Sequence, residues 1–188
     1  MNLPIAKSWD IFCRVIDNYG DIGVCWRLCS ELAARGQTVR LIVDDASALQ
    51  WMASTPTPSV RTEPVEVLAW DQINQITYPA DVVIEAFGCE LPEPYITAMS
   101  LKANAGVASH WINLEYLSAE PYAQRNHLLP SPVLSGAGKG SVKTFFYPGF
   151  TPRTGGLLRE AGLITDRTVV CPASSTRRSQ SCSHQSVR

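Results

Sequence analysis

Hydrophobic positions in the first 45 residues follow the periods of a strand, a helix and a second strand. Ser8–Ile16 is rich in β-branched and aromatic residues and stops at D-N-Y-G, which predicts a strand followed by a turn. From Ile22 to Ala34 apolar residues recur at helical spacing, and Gly36 follows as a stop signal. Thr38–Val43 (T-V-R-L-I-V) then predicts the second strand.

The same alternation of strands and helices continues to about residue 120. Asp81–Phe87 is an almost continuous apolar run, which is typical of a strand covered on both faces. Strands that alternate with helices predict a Rossmann-like α/β fold, with a parallel sheet and helices on both faces. The predicted elements of this part are a helix at Ala46–Ala53, a loop at Ser54–Ser59, strands at Val65–Trp70 and Asp81–Phe87, a helix at Pro92–Ala103 and a strand at Trp111–Leu117.

The last third of the chain has a different character. Ser131–Gly156 is rich in glycine and proline, which predicts a loop followed by a short strand or boundary element at F-F-Y-P-G-F. Residues 165–188 are rich in serine and arginine and lack a hydrophobic period, so we expect disorder there. The sequence thus divides into a domain at 1–164 and a tail at 165–188.

Composition narrows the class of protein. With 188 residues, 45% of them hydrophobic, the chain can bury one compact core. Its 16 basic and 17 acidic residues lack the positive excess of a nucleic-acid binder. The first residues do not resemble a signal peptide and no apolar run approaches the ~20 residues of a membrane span, so we expect a cytoplasmic protein without a membrane partner. The six cysteines lack C-x-x-C spacing, which favours reduced thiols over a metal site.

The loop after the first strand carries the candidate chemistry. Ligands of open α/β sheets gather at the carboxyl ends of the strands, and the loop Asp17–Gly23 lies at the first of these ends. Its two glycines allow close backbone approach, but its two carboxylates would repel a phosphate, so a cationic partner suits it better. The alternative is that Asp17 is an ordinary turn residue and Asp21 an ordinary helix N-cap, which are common roles for aspartate.

Four blocks of the sequence resemble the bacterial elongation factor P arginine rhamnosyltransferases. They follow one another in the family's order and cover roughly residues 8 to 164. The blocks are W-D-I-F-C-R-V-I-D-N-Y-G-D-I-G-V-C-W-R-L (Trp9–Leu28), A-D-V-V-I-E-A-F-G-C-E-L-P (Ala80–Pro92), W-I-N-L-E-Y-L-S-A-E (Trp111–Glu120) and F-F-Y-P-G-F-T-P-R-T-G-G-L-L-R-E (Phe145–Glu160).

This resemblance implies the N-terminal, acceptor-binding domain of a GT-B glycosyltransferase. It implies inverting transfer of rhamnose from dTDP-β-L-rhamnose to an arginine of elongation factor P, without a metal or other cofactor. The family's two essential aspartates fall on Asp17 and Asp21. Its Asn and Gly that face the donor phosphates fall on Asn18 and Gly20, and Tyr19 between them belongs to the same expected substrate site.

Two carboxylates suit a guanidinium acceptor. The group is almost always protonated, so an enzyme must both hold the cation and accept a proton as the C–N bond forms. We favour Asp21 as the base and Asp17 as the orienting partner, although the sequence does not settle which is which. Glu115 and Tyr116 are further candidates for the acceptor side, and a buried structural carboxylate with a core aromatic is an equally good interpretation of the pair.

The sequence is expected to depart from the family near Thr165, so the donor-binding C-terminal domain is expected to be missing. Transfer requires donor and acceptor to be held together, and we therefore expect no activity from this chain alone. One alternative is a non-catalytic module that binds elongation factor P. A dinucleotide-binding oxidoreductase is disfavoured because the first loop lacks G-x-G-x-x-G.

Overall fold

The structure is a computed structural model that describes residues 7–17, 19–52 and 65–160. These residues form strands that alternate with helices, as the sequence predicts. None of the helices in the described ranges has the length and apolar character needed to cross a bilayer. The elements are β1 Ser8–Cys13, α1 Gly20–Ala34, β2 Thr38–Val43, α2 Leu49–Met52, β3 Glu66–Ala69, a 3₁₀ helix Trp70–Gln75, β4 Val82–Ala86, α3 Glu93–Asn104, β5 His110–Leu114, α4 Pro121–Asn126, β6 Pro130–Pro132 and β7 Val142–Phe146.

The strands form one sheet in the order β3-β2-β1-β4-β5-β7-β6. Neighbours pair in parallel except β6, which runs antiparallel to β7 at the edge. The strands β1, β2, β4, β5 and β7 therefore all end at one side of the sheet, which we call the carboxyl edge. The chain continues from β1 to β2 on one side and later returns to place β4 on the other side of β1. This is the topological switch point at which open α/β sheets bind ligands.

Two hydrophobic cores cover the two faces of the sheet, which confirms the Rossmann-like α/β prediction. Alternate residues of β1 point to opposite faces, so Ile11 packs in one core and Phe12 in the other. The first core contains Ile22, Cys25 and Cys29 of α1, and the second contains Tyr95 and Met99 of α3. Cys13, Cys25, Cys29 and Cys89 are buried free thiols.

Most of the predicted boundaries shift by a few residues. Strand β1 ends at Cys13 rather than Ile16, because the amides beyond it bind carboxylates instead of a neighbouring strand. Helix α1 begins at Gly20, before the predicted start at Ile22. The predicted helix at Ala46–Ala53 is the single turn Leu49–Met52, while the predicted loop Ser54–Ser59 and the tail 165–188 lie outside the described residues.

An ion pair with a buried carboxylate and a partly exposed guanidinium joins β1 and β2 within the sheet. Asp10, which has no exposed surface, accepts hydrogen bonds from Arg40 Nε at 2.6 Å and Nη2 at 2.8 Å. It also accepts the Ala80 amide at 3.0 Å and the hydroxyl of Tyr95. Both carboxylate oxygens are satisfied, and the pair joins β1 to β2, to the segment before β4 and to α3.

Gly36 ends α1 in the left-handed conformation that the sequence signal predicts. Its φ is +75°, its amide donates to Ala33, and the amide of Gln37 donates to Leu32. This pair of bonds is the Schellman arrangement, which satisfies carbonyls at the helix end.

Replacing Gly36 by alanine is expected to destabilise the fold by about 1 kcal/mol, because an L side chain is strained at this φ. Urea unfolding of the chain measures the change. A Cβ at this position would meet nothing within 4 Å. The loss of stability therefore measures the backbone strain alone, without a contribution from a steric clash. An unchanged free energy of unfolding would contradict the left-handed helix end.

Candidate active site

The loop after β1 is organised around the carboxylate of Asp21. Its Oδ2 accepts the amide of Ile16 at 3.1 Å and the amide of Asp17 at 3.2 Å. The Val15 amide is bound by Asp44, which follows β2 at the same edge, at 2.9 Å. Side-chain carboxylates thus replace strand pairing and turn the chain sharply from β1 into α1.

Asp21 is 1% exposed, and its second oxygen faces a tyrosine. Oδ1 accepts the hydroxyl of Tyr116 at 3.0 Å. The N-cap of α1 is Tyr19, so the interpretation of Asp21 as an ordinary N-cap is wrong: it lies in the first turn and binds amides of the preceding loop. Asp21 does accept hydrogen bonds from backbone amides, but only through Oδ2; Oδ1 binds the tyrosine hydroxyl instead.

Asp17 lies on the same loop with its side chain exposed. Its carboxylate rests against the start of α1, and a Cβ added to Gly20 would come within 2.7 Å of Asp17 Oδ2. Asp17 and Asp21 both come directly after β1, so they share the carboxyl edge of the sheet. The two carboxylates are therefore on one side of the sheet, one exposed and one buried.

Tyr116 follows β5 and joins this acidic loop to the neighbouring strand. Its ring stacks on Phe87 with centroids 4.4 Å apart and planes 18° apart, while the side chain remains 50% exposed. Burial and the hydrogen bond to Asp21 raise the pKa of Tyr116 to about 12, so the phenol is a neutral donor at physiological pH.

Phe87 holds this stack from the end of β4. Its amide donates to the Leu114 carbonyl at 2.7 Å, and its φ is +56°, a region that non-glycine residues rarely adopt. Gly88 follows with φ +71°. The sequence analysis did not single out Phe87, although its position at the carboxyl end of a buried strand was a usable signal.

The remaining predicted site residues are not all brought together. Tyr19 is exposed at the start of α1, Gly20 follows it, and Asn18 lies outside the described residues. Glu115 directs its carboxylate to Asn113 Nδ2 at 2.8 Å, and its pKa is raised mainly by burial and in part by the charge of Glu85. Glu115 therefore binds Asn113, whereas its neighbour Tyr116 contacts Asp21.

The arrangement is chemically suited to a positively charged group with several N–H donors. Asp17 offers an exposed carboxylate, and Asp21 offers one fixed oxygen beside a half-exposed aromatic ring. In the described parts of the chain no three His, Cys, Asp or Glu side chains are grouped closely enough to hold a metal ion. Hydrogen-bond acceptors next to an aromatic face are the usual way in which proteins bind organic cations.

The chain is a Rossmann-like α/β domain with an acidic loop at its switch point. A family model described as Elongation-Factor P (EF-P) rhamnosyltransferase EarP matches residues 9–187, and the chain belongs to that family. The match continues past Thr165, where the sequence analysis expects a departure, into a segment that lies outside the described residues.

Curated relatives named protein-arginine rhamnosyltransferase agree with this assignment. The protein from Pseudomonas aeruginosa is 49% identical over 164 residues, covering 85% of this chain and 42% of the relative. The Pseudomonas putida protein is 46% identical over 167 residues, covering 87% and 42%, and the Shewanella oneidensis protein 40% over 169 residues, covering 86% and 42%. The chain thus spans about two fifths of the length of these relatives.

Proposed function

We propose that this chain is the acceptor-binding domain of a protein-arginine rhamnosyltransferase. The complete enzyme would transfer rhamnose, with inversion, from dTDP-β-L-rhamnose to an arginine of elongation factor P. Membership of the family supports the reaction class. The observation that carries the assignment to this domain is the fixed carboxylate of Asp21 beside the exposed carboxylate of Asp17 at the carboxyl edge.

The reaction explains why two acids are useful. A guanidinium nitrogen attacks C1 of the sugar, the C1–O bond to the phosphate breaks, and dTDP leaves with the bonding electrons. The attacking nitrogen must lose a proton as the C–N bond forms, because its lone pair is delocalised over the cation. One carboxylate can hold the cation in position while the other takes the proton.

We assign the role of general base to Asp21 and the role of orienting the guanidinium to Asp17. Asp21 Oδ2 is occupied by two amides, which leaves Oδ1 as the oxygen that can take a proton from the substrate. Asp21 is 1% exposed, so a substrate N–H reaches Oδ1 only when a neighbouring side chain moves; Oδ1 can then keep the Tyr116 hydroxyl as well, because a carboxylate oxygen accepts two hydrogen bonds. Asp17 is exposed and can reach the other nitrogens of the cation.

The neighbouring residues complete the proposed substrate site. By the family resemblance, Asn18 and Gly20 would face the donor phosphates, and the Asp17 carboxylate that packs against Gly20 would have to turn toward the acceptor cation to admit them. Tyr19 would lie at the rim of the acceptor surface, where its side chain is 58% exposed. Glu115, which follows β5 and accepts a hydrogen bond from Asn113, would contribute to the acceptor surface farther along the same edge.

The donor would be held mainly outside this domain. More than half of each relative's length lies beyond the matched region, which is enough for the second domain of a GT-B enzyme. The domain at 1–164 would then supply one wall of the cleft. We place the reaction in the cytoplasm because the proposed acceptor is a translation factor.

Replacing Gly20 by alanine tests the role of Asp17 without removing its charge. The new Cβ would displace the Asp17 carboxylate, while alanine favours the first turn of the helix by up to about 1 kcal/mol. We expect weaker binding of elongation factor P in a titration and a free energy of unfolding that is unchanged or higher. Unchanged affinity with a displaced Asp17 would remove that residue from the acceptor site.

Two measurements test the proposed function. The chain should bind elongation factor P more tightly than a variant of that factor whose acceptor arginine is replaced by alanine, and calorimetry can compare the two. A chimera that joins residues 1–164 to the remaining part of the Pseudomonas aeruginosa relative should transfer rhamnose from dTDP-β-L-rhamnose, seen as a mass shift. Binding without transfer in a folded chimera would favour the non-catalytic module, and equal binding of both acceptor proteins would contradict the proposal.

A further inference from the structure

The described site contains an aromatic pair that proton transfer alone does not require. Tyr116 has one ring face against Phe87, yet half of its side chain is exposed. A tyrosine that served only to fill the core would be buried on both faces. Its hydroxyl meanwhile donates to Asp21 Oδ1, the oxygen that the loop amides leave free.

We infer that Tyr116 is a specificity-determining residue that selects a planar guanidinium over an ammonium group. This rests on the proposed function and adds to it the reason why arginine rather than lysine would be the acceptor. The open face of the Tyr116 ring stacks against the planar cation, and the hydroxyl sets the position of the carboxylate oxygen at the ring's edge.

The geometry supports stacking and hydrogen bonding by the same cation. A guanidinium that lies flat on the ring directs its N–H groups outwards in its own plane, parallel to the ring, and those at its rim can reach acceptors beside the ring. Asp21 Oδ1 is such an acceptor, 3.0 Å from the phenol oxygen. An ammonium group is compact and strongly hydrated and cannot stack, so it would gain only the charge interaction.

The backbone around the pair is shaped to present this ring. Phe87 adopts a left-handed conformation, and its ring backs Tyr116. Strained backbone of this kind persists where the surrounding structure enforces it and is concentrated at functional sites. The ring of Phe87 thereby supports one face of Tyr116, whose hydroxyl contacts Asp21.

The test is the preference of the full chain for arginine over lysine at the acceptor position of elongation factor P. Calorimetry with both forms of the factor should show roughly tenfold tighter binding of the arginine form, in the range expected for stacking of a cation on an aromatic ring. Tyr116→Leu should reduce this ratio to about threefold or less, since only the charge interaction remains. Tyr116→Phe keeps the ring face and should preserve most of the ratio.

A matched control is Tyr78→Leu, which removes another exposed tyrosine that lies before β4, at the opposite end of that strand, and covers Lys102. It should leave the ratio unchanged. If Tyr116→Leu fails to fold, titration of the unmodified chain with methylguanidinium and methylammonium replaces it, and ring-current shifts of the methyl protons are expected for the first ligand only.

The outcomes separate the inference from the proposed function. A Tyr116→Leu chain that is folded and keeps the full arginine preference overturns the inference, and so do equal methyl shifts with both small cations. In either case arginine binding, and with it the proposed function, would stand. Equal binding of the arginine and lysine forms by the unmodified chain overturns the inference, and equal binding of the alanine form as well would contradict the proposed function.

Discussion

Replacing Asp21 by asparagine is expected to reduce rhamnosyl transfer by about 10²- to 10⁴-fold, the usual contribution of a general base, while the fold survives. The asparagine oxygen can accept the amides of Ile16 and Asp17, as Oδ2 does in the unmodified chain. Its NH₂ group would then face the Tyr116 hydroxyl, which can rotate and accept instead of donating. Every hydrogen bond can therefore be kept, and only the charge and the proton acceptor are lost.

The measurement is transfer by the chimeric enzyme described above, together with urea unfolding of the chain. Asp71→Asn, at an exposed acid of the 3₁₀ helix, is the matched control and should change neither quantity. Near-normal turnover of a folded Asp21→Asn enzyme would show that this carboxylate only shapes the loop. The corresponding loss in Asp17→Asn would then identify the exposed aspartate as the base.

The largest expected change in stability comes from Asp10→Ala, at about 3–5 kcal/mol, the usual cost of removing one partner of a buried pair. Asp10 has no exposed surface and receives four hydrogen bonds, two of them from Arg40. Its removal leaves Arg40 without its carboxylate partner and leaves the Tyr95 hydroxyl and the Ala80 amide without an acceptor. Urea unfolding should show a much lower midpoint or no cooperative transition.

Two further variants test whether the loss of stability comes from the unpaired Arg40 or from shortening any acidic side chain. Asp10→Ala combined with Arg40→Met should be more stable than Asp10→Ala alone, because the unpaired cation is gone. Glu31→Ala removes the pair between Glu31 of α1 and the exposed Arg35 that follows the helix, and should cost only about 0.5 kcal/mol. A loss below about 1 kcal/mol for Asp10→Ala would contradict the structural role of the pair.

The alternating strands and the first helix could be predicted because burial imposes a period on their sequences. Strand β2 has the predicted bounds, and the apolar run before Phe87 is a strand covered by both cores. The missed elements lack such a period. Helix α4 buries only Ala123 and the 3₁₀ helix only Ile73, while β6 is a short antiparallel edge strand with two prolines. Their existence depends on long-range contacts rather than on local pattern.

The position of the acidic loop at the carboxyl edge was predictable, but the arrangement of its side chains was not. Asp17 and Asp21 follow the first strand, so the topology alone places them at the carboxyl edge. The division between an exposed Asp17 and a buried Asp21 depends on loop amides and on Tyr116, which is distant in sequence. The side chains of Glu115 and Tyr116, which directly follow β5, point in different directions because consecutive residues of an extended chain point to opposite faces. That rule could have favoured Tyr116 over Glu115 from the sequence.

The most direct test of the account is a crystal structure of the chain bound to elongation factor P. We predict that the acceptor guanidinium lies at the carboxyl edge, with nitrogens about 2.7–3.2 Å, a normal hydrogen-bond distance, from Asp21 Oδ1 and from an oxygen of Asp17. An acceptor arginine bound elsewhere on the domain, with neither carboxylate in contact with it, would contradict the central claim.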